Sequence, residues 1–184
     1  MNAEVFVGLD VSRTVLQIAV RPSGEQWSAG VDALGMNETA EKIRDIHPNL
    51  VVMEAHGGVE LPVAGTLASL GLPFALVSPR SIKDFTRAIG GMRQDRNQAG
   101  LLAHFAELVR PEVRKVPAES IQILRALRSR RVEVLQMMAQ EQSRLEMATS
   151  SIQKELKNHI HYLEKSVFWT DEEISRTIRL SVRS

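Results

Sequence analysis

Short apolar runs alternate with amphipathic stretches as far as Pro111, and the pattern changes after Pro117. Residues 5–9, 15–20 and 26–31 read as three successive strands, with Pro22-Ser-Gly-Glu25 as a strong turn between the second and third. Asn37 is suited to cap a helix over 38–46, whose first turn is acidic. Leu50-Val-Val-Met53 is apolar at every position, the pattern of a parallel strand buried on both faces. A helix over 61–70 ending at Gly71, a strand over 74–77 and a helix opened by Pro79 complete this half. The order βββαβαβα predicts an α/β domain built on a mixed five-stranded sheet.

Beyond Pro117 strand signals stop. Leu124, Leu127, Val134, Met138 and Leu145 recur at helical spacing, and Ile152, Leu156, Ile160, Leu163 and Val167 continue the seam to Ile174 and Ile178. The expectation is a long helical hairpin or coiled coil, broken at Thr149-Ser150-Ser151, with Thr170 capping a third helix. Arg131 and Glu141 interrupt the seam. The predicted domains are residues 1–112 and 117–184, with a hinge at Pro111–Pro117.

Composition narrows the classes. Charged residues make up 24% and the net charge is +1, so no global charge signals nucleic acid. With no cysteine, disulfides and thiolate metal sites are excluded. Aromatic residues are 4%, too few for a base-stacking surface of the single-strand type. No signal peptide or membrane-spanning run is visible, and a cytoplasmic protein is expected.

The chemistry concentrates in carboxylates. Asp10 follows the first apolar run and Glu54 the Leu50–Met53 run, so both stand at one edge of the predicted sheet. Asp95 opens a helical pattern, and residue 98 would share its face one turn on. Strand-end carboxylates joined by helical ones are the layout of a site that holds Mg²⁺ through oxygen ligands and acts on phosphodiesters. Taken singly, such carboxylates are more often turn or cap residues, and on spacing alone the two readings stay open. Gly57-Gly58 reads either as a turn or as a place where a phosphate backbone comes close. His56 reads as a loop histidine or, beside Glu54, as a substrate contact.

Five segments then agree in order with one family: Phe6-Val-Gly-Leu-Asp-Val-Ser12, Val51-Val-Met-Glu-Ala-His-Gly-Gly-Val-Glu60, Leu76-Val-Ser-Pro-Arg-Ser-Ile-Lys-Asp-Phe-Thr-Arg-Ala88, Gln94-Asp-Arg-Asn-Gln-Ala99 and Leu102-Ala-His-Phe-Ala-Glu-Leu-Val-Arg-Pro111. Together they resemble the N-terminal part of the DEDD-type insertion-sequence transposases, the IS-one-ten family that includes the pilin-gene invertase Piv. The resemblance implies an RNase H-like, RuvC-type fold and Mg²⁺- or Mn²⁺-dependent cleavage and rejoining of DNA. It also implies a homodimer through the coiled coil, and it makes a structured guide RNA a candidate partner. Asp10, Glu54 and Asp95 match the family's first three acids. The fourth position is Gln98, which offers an amide oxygen but no charge, so metal affinity and activity are expected to fall. The family's later serine-bearing domain is not seen in this sequence, and Ser12 reads as a turn residue.

Arg80, Lys83 and Arg87 share a helix face, Arg93 and Arg96 flank Asp95, and Arg125, Arg128, Arg130 and Arg131 cluster in the coil. The first five are candidate phosphate contacts; for each cluster a solvated face is the plain alternative. The competing function is a non-catalytic DNA- or RNA-binding and dimerisation module. Gly8-Leu-Asp-Val-Ser12 also resembles the phosphate-loop strand pair of actin-like sugar kinases, but that fold needs two such domains, for which the chain is too short.

Overall fold

A computed structural model describes residues 4–90 and 97–183. Five strands form one sheet: β1 (Phe6–Val11), β2 (Val15–Arg21), β3 (Gln26–Gly30), β4 (Leu50–Glu54) and β5 (Phe74–Val77), in the order β3-β2-β1-β4-β5. β2 runs antiparallel to both β1 and β3, while β1, β4 and β5 are parallel neighbours. The mixed sheet expected from the sequence is therefore present, and the apolar β4 is central and buried throughout.

Side-chain alternation assigns the two faces. Val7, Leu9, Val11, Val51 and Met53 enter the larger core, against α1 (Ala33–Asp45) and α2 (Leu61–Ser69). Phe6, Leu50, Val52, Ala75 and Val77 enter a second core with Phe85 of α3 (Pro79–Ala88) and Leu102, Phe105 and Ala106 of α4 (Gln98–Val109). Asp10 and Glu54 have the parity of this second face.

α4 lies unusually close to the sheet. A Cβ placed on Gly8 would stand 2.0 Å from Ala99 O and 2.2 Å from Ala103 N, both backbone atoms. Ala19, Ala99 and Ala103 extend the same small-residue contact onto β2. The helix is tied at its ends as well. Asn97 caps it by accepting from Gly100 N at 2.8 Å, Glu107 pairs with Arg21, and Arg110 at its C-cap pairs with Glu4.

The helical half is α5 (Ala118–Glu146) and α6 (Ser150–Arg183), antiparallel and broken where Thr149-Ser150-Ser151 predicted. Two expectations are corrected. Thr170 caps no helix, because its hydroxyl donates to Ser166 O at 2.8 Å and α6 passes straight through it. α1 starts at Ala33 rather than after Asn37, because Asp32 accepts from Gly35 N and caps it five residues earlier.

The hairpin does not stand free of the sheet domain. Leu124, Ile174 and Ile178 belong to the larger core, each adding on the order of 2 kcal/mol by burial. Gly65 of α2 admits α6, since a Cβ there would meet Ile174 Cγ2 at 2.4 Å. The interruptions of the seam are buried charges with more exposed partners. Arg131 lies 2.5 Å from Asp171, a charge contact rather than an aligned hydrogen bond, and burial pushes the Asp171 carboxyl up although Arg131 opposes that. Glu141 accepts from Arg144 at 2.8 Å, with His159 at 3.6 Å. No described helix is long and apolar enough to cross a membrane.

The substitution Gly8→Ala is expected to cost about 3 kcal/mol, because the neighbours that must yield are backbone atoms. Urea unfolding should show a lower midpoint with an unchanged m-value; an unchanged midpoint would mean that α4 does not seat on β1 in this way.

Candidate active site

β1 and β4 pair in parallel with Leu9 opposite Met53, and one residue further along stand Asp10 and Glu54. β1 runs on to Val11, so Asp10 is held inside the strand rather than after it. The turn that follows is fixed by Ser12, whose hydroxyl accepts from Val15 N at 3.0 Å and donates to Val15 O at 2.9 Å. Ser12 is thus the turn residue expected from the sequence.

Glu54 is buried, and two side chains converge on one of its oxygens. Gln98 Nε2 donates to Oε2 at 2.8 Å, and His56 Nε2 lies 3.2 Å from the same atom. Gln98 can do this because it is the first residue of α4, where the Gly8 contact brings the helix onto the sheet. Asp10 is half-buried, and its pKa is raised above the ordinary carboxylate value. Burial is the main cause and the Glu54 charge adds to it, while His56 opposes both.

The loop after β4 carries a feature that spacing did not reveal. Glu60 is buried, and its Oε2 accepts from the backbone N–H groups of His56 at 3.1 Å and Gly58 at 3.0 Å. This clamp holds the loop in a shape that needs positive φ at Gly57 and Gly58. The signal available in the sequence was a carboxylate just before the apolar Leu61-Pro62 helix start, read there only as part of a motif.

The other sequence candidates divide. Arg93, Asp95 and Arg96 lie outside the described residues. Among the described residues no group of three or more histidine or carboxylate side chains is placed to hold a metal. Arg80, Lys83 and Arg87 are exposed on α3, with Arg80 and Arg87 both reaching Asp84. The coil arginines are engaged internally: Arg125 donates to Ser69 O, Arg128 to Asn37 and Glu41, Arg130 to Glu133, and Arg131 faces Asp171.

The family model of the IS110-type DEDD transposases, described as "Transposase", matches residues 7–152. The chain belongs to that family. Its five-stranded sheet, with only β2 reversed, is the RNase H-like, RuvC-type sheet the resemblance implied. Among solved structures, T. thermophilus RuvC in complex with Holliday junction substrate is similar over 60% of this chain and 99% of that one, at 13% identity and a TM-score of 0.45. No curated protein matches the chain. Asp10 and Glu54, which the resemblance set against the family's acids, stand on neighbouring strands, and Gln98, set against its fourth position, touches Glu54.

Asp10→Asn should raise the melting temperature at neutral pH. A raised carboxylate pKa means that the charged form is penalised in the folded state, so the penalty is present above that pKa and absent below the ordinary value of 3.8. Melting curves of the two proteins should converge as the pH falls towards 3.8 and part as it rises; equal curves at all pH values would remove the electrostatic cost assigned to Asp10.

Proposed function

We propose that this chain is the DNA-cleaving portion of a transposase, acting on phosphodiesters with Mg²⁺ or Mn²⁺ held by Asp10, Glu54 and Asp95. The observation that carries the reading is the placement of Asp10 and Glu54 on adjacent parallel strands, on the face that α4 covers. The donors suit a hard cation in type, because they are carboxylate and amide oxygens. When bound, the cation supplies charge stabilisation for the attacking and leaving oxygens. Glu54 and Asp10 orient that centre, and His56, on the rim, is positioned to contact substrate. Arg80, Lys83, Arg87, Arg93 and Arg96 serve as phosphate contacts along the approach.

A homodimer through the hairpin fits the apolar side chains left exposed there, including Met147 at 83% and Phe168 at 68%. A structured guide RNA remains a partner for the same basic surface. One observation favours a second reading, a binding and dimerisation module with little activity: Gln98 donates a hydrogen bond to Glu54 where a fourth acid would add a metal ligand.

Gln98→Asp separates these outcomes. Without metal it removes a donor from a buried carboxylate and adds a like charge, so it should cost about 1–3 kcal/mol. With Mg²⁺ or Mn²⁺ it should bind about tenfold more tightly than the parent by calorimetry and regain its lost melting temperature. Absence of metal binding by both forms would end the catalytic reading and leave the binding module.

A further inference from the structure

The loop clamped by Glu60 has two sides. His56 faces Glu54, while Gly57 and Gly58 border a cleft of about 500 Å³ that also takes in Leu61, Leu76, Ser78, Arg114 and Arg179. The cleft gathers residues far apart in sequence: the loop after β4, the end of β5, the 110–117 connection and the last turns of α6. Arg114 is brought there because its backbone N–H donates to Phe74 O at 2.8 Å, which lays the connection along β5. Arg179 is brought there because Ile174 and Ile178 seat α6 against Gly65. A Cβ on Gly58 would stand 3.7 Å from Arg179 Nη2.

Neither guanidinium forms an ion pair or side-chain hydrogen bond among the described residues, whereas Arg21, Arg44, Arg110, Arg128 and Arg131 all pair with carboxylates. Among the described residues the one carboxylate in the wall is Glu60, whose Oε2 already accepts two backbone N–H groups. A Cβ on Gly57 would meet nothing within 4 Å, so the loop presents bare backbone to the opening. Two exposed guanidinium groups, unpaired among the described residues and lining one cleft with an uncovered glycine loop, make a receptor for one phosphate, and the apolar side chains of Leu61 and Leu76 suit the sugar beside it. Gly57 follows Glu54 by three positions, at most about 11 Å of chain.

We propose that this cleft is a second phosphate subsite, in which Arg114 and Arg179 hold a neighbouring phosphodiester of the DNA strand that lies across Asp10 and Glu54. The subsite rests on the nucleic-acid reading above and adds to it the path of the strand. It opens on the face of the sheet that α2 and α6 cover, opposite the face of Asp10 and Glu54, so the DNA strand passes around the end of β4 at the Gly57–Gly58 loop.

The test is fluorescence anisotropy with a labelled single-stranded DNA, in EDTA, over a range of salt concentrations. Arg114→Gln/Arg179→Gln should weaken binding about tenfold at low salt and reduce the slope of log K against log salt by about 1.4, the share of two phosphates on a single strand. Arg114→Lys/Arg179→Lys should restore most of the slope. Arg44→Gln/Arg130→Gln, which removes two paired cations elsewhere, should leave it unchanged. If the double glutamine variant does not fold, Arg114→Gln alone should give half the change, because that side chain bonds to nothing in the described structure. Binding by the parent with a slope that the cleft variants do not alter overturns the subsite and spares the nucleic-acid reading. No binding by the parent overturns both. Tighter binding of an RNA of the same sequence, with the same two-arginine dependence, would overturn the assignment to DNA.

Discussion

The backbone of α4 rests against the backbone of β1 at Gly8, and the placement of the site follows from that contact. A side chain at position 8 would hold the helix away from the sheet. Gln98, the first residue of α4, would then lose Glu54, and the second core of Phe85, Leu102 and Phe105 would open. The contact is directional because Ala19, Ala99 and Ala103 keep the surrounding surface small, and because Glu107 and Arg110 fasten the far end of the helix. Short-range packing of this kind can hold a polar constellation at the sheet edge, where carboxylates with no countercharge would otherwise repel each other.

Much of the sheet was legible because β strands advertise themselves by burial. Leu50-Val-Val-Met53 has the pattern of a strand covered on both faces, and Pro22-Ser-Gly-Glu25 the residues of a turn. The helix boundaries were less legible where two polar residues compete for one role. Asp32 and Asn37 are both able caps; Asp32 takes the Gly35 N–H, while the Asn37 side chain accepts from Arg128 of the second half. Thr170 has the chemistry of a cap but also bonds back to its own helix, and periodicity cannot separate the two.

The site was legible in its parts and not in its wiring. Asp10 and Glu54 could be assigned to one edge from strand order alone. That Gln98 and His56 would share a single oxygen of Glu54 depended on how far α4 approaches the sheet, which no local pattern encodes. The role of Glu60 depended on the loop's shape, and the loop's shape on glycines with positive φ. The heptad-like seam of the second half said that helices would pair. It did not say that Leu124, Ile174 and Ile178 would leave the pair and enter the core of the sheet domain.

That entry gives the hairpin a mechanical character. Its tip, near residues 146–150, stands roughly 40 Å of helix from the α5 start. Both arms are seated at α2, where Gly65 receives Ile174 and Leu124. Gly65 divides α6 into a long arm towards the tip and a short arm that passes Arg179, beside Gly58, and ends at Arg183. A group bound at the tip would therefore be joined to the rim of the loop that carries His56 by a single helix seated on α2.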